Sequence, residues 1–172
     1  YDIISGSVKT SNVFGAVLIE IYPELMPDWQ RVIKRALDII ISITVLIVLS
    51  PLYLFSAIKV KLSSQGSVFY KQTRIGLYGK SFLIYKFRSM LPNAEDNGPA
   101  LSSENDPRIT KWGKIMRKWR IDELPQFYNI LKGEMSLVGP RPERKYYIDI
   151  ISQTYPHYKY LHKVKPGLSS WG

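Results

Sequence analysis

The chain has 172 residues, enough for one globular domain, and 45% of them are hydrophobic, so a buried core is within reach. It has no cysteine, which excludes disulfides and thiolate metal sites. Lys and Arg total 24 against 14 Asp and Glu, a formal charge of +10, and that excess calls for an anionic partner: nucleic acid, an acidic membrane leaflet or a phosphorylated substrate.

Residues 1–27 read as a linker: Ser, Asn and Gly are scattered along it, Pro23 and Pro27 punctuate its end, and Ala16 to Ile21 forms one strand-like run. The chain opens on Tyr1 and closes at Trp171-Gly172, so a piece of a longer protein is expected. No signal peptide is expected, because the apolar segment lies too far in and no small-residue cleavage site follows it.

That segment, Ala36 to Ile58, carries a single charge, Asp38. A straight helix of this length, at about 1.5 Å per residue, would just span a bilayer. Ser50-Pro51 inside the run predicts a kink, since proline removes a hydrogen bond and clashes with the preceding turn. Both flanks are cationic, with Arg31, Lys34 and Arg35 before and Lys59 and Lys61 after, which favours both ends on the cytosolic side. A re-entrant helix, a straight span and a buried core helix all stay open on these grounds.

Ser67 to Lys71 and Phe82 to Phe87 predict two strands joined by a turn at Gly76-Leu77-Tyr78-Gly79, whose glycines could alternatively cradle a phosphate. Residues 92–107 read as a long loop. Arg108 to Trp119 predicts an amphipathic helix with a stripe of Trp112, Ile115, Met116 and Trp119 among lysines. Such a helix either faces the core or lies at the level of lipid headgroups.

The next helix is expected to begin at Asp122-Glu123, with Leu124, Phe127, Tyr128 and Leu131 on its apolar face and Gly133 at its end. Asp122 reads either as an ordinary N-cap or as a carboxylate that Arg117, Arg120 and Arg141 keep ionised for attack on phosphate. In Gly139-Pro140-Arg141-Pro142 the prolines leave Arg141 few conformations, which suits either a guanidinium fork held for a diphosphate or a plain strand-end turn. Tyr146 to His162 is aromatic and basic, fit for stacking bases or for a membrane interface. His157 and His162 lack a partner set for a metal.

Several motifs in order carry a resemblance: Phe69 to Gly76, Tyr85-Lys86-Phe87-Arg88-Ser89-Met90, Asn105 to Arg108, Asp122 to Gln126, Met135 to Pro142 and Lys165-Pro166-Gly167. Over roughly Trp29 to Gly172 the chain resembles the bacterial sugar transferase family, the monotopic phosphoglycosyl transferases. The resemblance implies an α+β fold, with a re-entrant membrane helix over 28–61 broken at Ser50 and Pro51. A cytosolic catalytic domain would follow over 62–172, on the inner face of the bacterial cytoplasmic membrane. It implies transfer of a sugar 1-phosphate from a UDP-sugar to undecaprenyl phosphate with release of UMP and with Mg²⁺ as cofactor. Asp122 would be the nucleophile and Glu123 a metal ligand, while Lys86, Arg88, Arg117 and Arg141 would contact phosphate or acceptor. Acidic phospholipid is an expected partner, nucleic acid is not, and self-association is left open. Family members usually continue past the turn at Pro166 to Gly172, so part of the nucleotide pocket and a further surface helix are expected beyond it. The rival reading is a membrane-anchored basic domain that binds nucleic acid or acidic lipid without catalysis.

Overall fold

The computed structural model describes residues 8–13, 16–21, 26–94 and 106–170. Most of the loop expected over 92–107 lies outside the described residues, as do Trp171 and Gly172. The chain divides into two compact units, residues 1–37 and 38–172. In the first, β1 (Val8–Val13) pairs antiparallel with β2 (Ala16–Ile21), where only the second strand was expected. Helix α1 (Asp28–Val48) begins there, with Arg31 donating to the Asp28 carboxylate across its first turn.

The second unit holds the rest of α1 and then α2 (Ser50–Ser63), β3 (Phe69–Ile75), β4 (Ser81–Phe87), α3 (Lys111–Lys118), α4 (Gln126–Lys132), β5 (Ser136–Val138), α5 (Lys145–Thr154) and β6 (Gly167–Ser169). The result is a mixed arrangement of helices and short two-stranded sheets. Pro51 falls in the first turn of α2, where its missing N–H is harmless, and the chain bends by 63° between α1 and α2. The break thus lies where Ser50-Pro51 predicts it. Among the described residues no single helix is long and apolar enough to cross a membrane, whereas the bent pair together is.

The two limbs of the bend pack on different parts of the unit. Val45 and Leu46 of α1 lie against Ile84, Phe127, Ile130 and Met135, and Tyr53 and Ala57 of α2 lie against Val60, Phe87 and Met116. Their other faces leave Ile40, Ile43, Ile47, Leu54, Phe55 and Ile58 exposed, too much apolar surface for a core helix in water. Asp38, buried within α1, accepts the Leu137 N–H of β5 at 3.0 Å.

Strands β3 and β4 form the expected hairpin, in register from Phe69↔Phe87 to Ile75↔Ser81, and the turn closes through Gly79 at φ 73°. Asn129 of α4 is fully buried against the free edge of β4. Its Oδ1 accepts from Tyr85 N–H at 3.1 Å, and its Nδ2 donates to Leu83 O and to Glu134 Oε2, both at 2.7 Å. One amide side chain therefore occupies hydrogen-bonding positions that a third strand would take. Strands β5 and β6 pair in parallel, Ser136↔Gly167 and Val138↔Ser169.

Two helices turn inward only part of the face expected: Trp112 and Met116 of the first stripe, Leu124 and Phe127 of the second, meet the core. α3 starts at Lys111, after the N-cap Thr110, and buries Gly113 and Met116, while Ile115 and Trp119 are exposed. The cause is Gly113: a Cβ there would lie 2.0 Å from Ser89 O, so the helix backbone itself seats on that carbonyl. In α4, Asn129 and Ile130 are buried and Tyr128 is exposed, because the Asn129 amide is needed at the edge of β4.

Candidate active site

Tyr70 pairs with Lys86 across the hairpin, so β3 and β4 present Tyr70, Gln72, Arg74 and Lys86 on one side. These side chains help line a cavity of about 520 Å³. Asp122 and Glu123 enter it from a short 3-10 turn, Ile121–Glu123, and not from the helix N-terminus expected there. Arg120, in the left-handed region at φ 53°, sets this turn off from α3, and α4 begins only after Pro125. Asp122 therefore caps no helix.

All six side chains expected to bind or react, Lys86, Arg88, Arg117, Asp122, Glu123 and Arg141, line this one cavity. Ser50 and Pro51 lie apart from it, at the bend. Arg74, Arg108, Arg120 and Arg144 also line it, and sequence reasoning gave them no role at the cavity beyond Arg120 beside Asp122. Among the described residues, the carboxylates that share the lining with these eight cations are Asp122, Glu123 and Glu143.

Glu123 is the electrostatic hub. Lys86 Nζ donates to its Oε1 at 2.8 Å, Arg120 Nη1 reaches Oε2 at 3.3 Å, and Arg141 Nη2 lies 3.5 Å from Oε1. Burial alone would raise its pKa, but Lys86, then Arg141 and Arg120, carry it below the usual carboxylate range. Asp122 is shifted the other way. Burial pushes it up, the neighbouring Glu123 adds to the rise, and Lys86 and Arg117 offset only part. The nearby cations therefore do not bring Asp122 below its ordinary pKa, because desolvation outweighs cations that are mostly committed to Glu123.

Arg117 reaches the cavity with its Nε donating to Ser89 Oγ at 2.9 Å. Arg88 lines the cavity as well, and its guanidinium also donates to Gln65 O at 2.9 Å and to Ser64 O at 2.7 Å, tying it to the segment that follows α2. Arg141 is fixed through its loop. Gly139 N–H donates to Ser169 O, Gly167 N–H to Pro140 O, and Arg74 Nη1 to Pro142 O and to Glu143 Oε2. Gly139 and Gly167 cross so closely that a Cβ on Gly167 would lie 2.1 Å from Gly139 N.

Among the described residues no group of three or more His, Asp or Glu is arranged to hold a metal. Two adjacent carboxylates do fit Mg²⁺, which takes one or two protein carboxylates and fills its shell with substrate phosphate oxygens and water. Glu123 would then exchange at least one of its cationic partners for the metal.

Residues 29–172 match the bacterial sugar transferase family. The chain belongs to that family. It is 42% identical over 168 residues to a UDP-N-acetylgalactosamine-undecaprenyl-phosphate N-acetylgalactosaminephosphotransferase of Aeromonas hydrophila, covering 98% of this chain and 39% of the relative. It is 39% identical over 171 residues to a UDP-glucose:undecaprenyl-phosphate glucose-1-phosphate transferase of Escherichia coli K12, covering 99% of this chain and 36% of the relative. An exopolysaccharide production protein of Rhizobium leguminosarum is 44% identical over 146 residues, 80% of this chain and 71% of that protein. The chain thus spans less than two-fifths of the length of the first two relatives.

Proposed function

We propose that this protein transfers a sugar 1-phosphate from a UDP-sugar to undecaprenyl phosphate at a bacterial cytoplasmic membrane, through a phosphosugar held covalently on Asp122. The names of the relatives support the substrate pair. The observation that carries the assignment to residues is Asp122 itself: a buried carboxylate with a raised pKa, in a cavity lined by cations and beside a carboxylate that is already neutralised. A raised pKa makes the carboxylate more basic and hence a stronger nucleophile once ionised.

In the first step an Asp122 oxygen attacks the phosphorus that bears the sugar. The bond to the bridging oxygen breaks, and UMP leaves with that oxygen. One negative charge on Asp122 and two on the donor become one on the aspartyl phosphosugar and two on UMP, so no proton need move. In the second step an oxygen of undecaprenyl phosphate attacks the same phosphorus and expels the Asp122 carboxylate, giving the lipid diphosphate sugar. Both steps concentrate charge on phosphate oxygens, and the work of the site is to stabilise that charge with fixed cations. Lys86, Arg117 and Arg141 are assigned this role. Glu123 would hold Mg²⁺, which when bound would supply charge neutralisation for the departing UMP.

The bent helix pair is assigned to the bilayer as a re-entrant element, with its exposed apolar face toward lipid and the catalytic unit on the cytosolic side. The decisive experiment is intact-protein mass spectrometry after incubation with Mg²⁺ and each of a panel of UDP-sugars, without lipid acceptor. A mass gain equal to one phosphosugar, chased by undecaprenyl phosphate, is expected. No mass gain, with kinetics that need both substrates bound together, would assign direct transfer instead.

A further inference from the structure

We infer that Tyr53, in the second limb of the broken helix, is a positioning residue that braces the catalytic carboxylates, so that seating of the apolar helix and alignment of the site are coupled. The inference rests on the function proposed above for Asp122 and Glu123.

Tyr53 lies two residues after Pro51, and its backbone N–H bonds to Leu49 O across the break at 2.9 Å. Its hydroxyl crosses 71 residues of sequence to donate to the carbonyl of Leu124, the residue that follows Glu123. That carbonyl also accepts from Phe127 N–H at 3.1 Å, and Leu124 N–H closes the dyad turn onto Ile121 O at 3.2 Å. The hydroxyl therefore grips the hinge between the carboxylate turn and α4. The ring of Tyr53 packs edge-on against Phe87, with centroids 5.7 Å apart. Phe87 directly follows Lys86, whose ammonium is bound to Glu123. One side chain from the apolar segment thus touches both elements that carry the Lys86–Glu123 pair, the strand and the turn.

A tyrosine used only as core filler would pack on Phe87 but would need no hydroxyl bond to Leu124 O. Phenylalanine fills almost the same space, and Leu124 O would keep the Phe127 N–H as partner, so loss of the hydroxyl leaves no orphaned acceptor. The expected consequence of Tyr53→Phe is misalignment without unfolding: catalysis suffers where binding and stability do not.

The test compares wild type, Tyr53→Phe and Tyr53→Leu in lipid nanodiscs. UMP release is measured with a UDP-sugar and undecaprenyl phosphate, and amide hydrogen exchange is followed over Ile121 to Phe127. For Tyr53→Phe a fall in kcat of about 10-fold is expected, equivalent to about 1.4 kcal/mol, with KM for the UDP-sugar within about two-fold of wild type. Exchange at Glu123 and Leu124 should speed up, with the melting temperature lowered by no more than about 5 °C. Tyr53→Leu, which also loses the contact with Phe87, should fall further in kcat. Wild-type kcat together with wild-type exchange in Tyr53→Phe overturns the inference, as does a loss carried wholly by KM. Exchange is read whether or not UMP is released. A wild type that releases no UMP therefore rejects the proposed reaction, and unchanged exchange still rejects the brace.

Discussion

The ammonium of Lys86 lies 2.8 Å from Glu123 Oε1, so the carboxylate next to Asp122 is already paired before any substrate arrives. The two neighbours titrate in opposite directions: Lys86 carries Glu123 downward, whereas burial carries Asp122 upward against the same cation. As the proposed nucleophile, Asp122 must be ionised to attack. Activity is therefore lost as pH falls through its raised pKa, and the acidic limb of kcat/KM against pH should lie above the ordinary carboxylate range. Lys86→Met removes a cation that lowers the Asp122 pKa, so the limb should move to higher pH, with kcat/KM down by roughly 10²-fold. Glu123→Gln removes a charge that raises it, so the limb should move to lower pH while activity falls through weaker metal binding. Limbs that stay in place in both variants would detach the pH profile from Asp122.

Asp122→Asn should lose at least ~10³-fold in activity, as expected for removal of a nucleophile, and gain no phosphosugar in the mass spectrometer. Its stability should change in the opposite sense. Because the folded-state pKa of Asp122 is raised, its ionisation disfavours the folded state as pH rises through that pKa. The neutral isostere should accordingly melt higher than wild type near neutral pH, and the gain should vanish below the unfolded carboxylate pKa. A variant that melts lower at pH 7 would reverse the assigned direction.

Arg141→Lys should cut activity at least ~10-fold, about 1.4 kcal/mol of transition-state stabilisation, because a point charge replaces a planar fork held in a Pro-Arg-Pro loop. Steady-state UMP release measures this, and near-normal turnover would leave Arg141 with the loop alone.

Gly139→Ala and Gly167→Ala should each destabilise by about 3 kcal/mol. The new methyl groups would meet backbone at 2.4 Å (Lys165 O) and 2.1 Å (Gly139 N), and backbone cannot rotate aside as a side chain can. Chemical denaturation monitored by tryptophan fluorescence reads the loss. The Arg141 loop hangs from this crossing, so activity should fall even where the variant stays folded.

Topology offers a separate test. Single cysteines at Lys34 and Lys61 should both resist an impermeant thiol reagent in intact cells and react after permeabilisation, since both cationic flanks favour the cytosolic side. Labelling of either from outside would contradict a re-entrant helix. Pro51→Ala should shift some molecules toward a spanning form.

What the sequence disclosed was local. The β3–β4 hairpin, the break at Ser50-Pro51, the helix end at Gly133 and the adjacent carboxylates Asp122-Glu123 each announce themselves within a few residues. What it withheld depends on distant partners. Asn129 reads as a surface helix residue until β4, 44 residues away, presents a bare edge. Tyr53 reads as one more apolar position, and Arg88 as one more cation of the motif, until Leu124 and the carbonyls of Gln65 and Ser64 come within reach. The direction of the Asp122 shift needed burial, which no spacing rule gives.

The bond from Leu137 N–H to Asp38 has a consequence for exchanging parts between relatives. An apolar helix carries few marks to say which way round it should sit, and greasy side chains are nearly interchangeable along its circumference. One carboxylate answering one amide supplies a rotational key. Turning α1 by a single residue, about 100°, would strand the carboxylate among apolar groups and leave the amide unanswered. A chimaera that imports a foreign apolar segment should therefore function only if it brings an acceptor in the same phase, whatever its overall hydrophobicity.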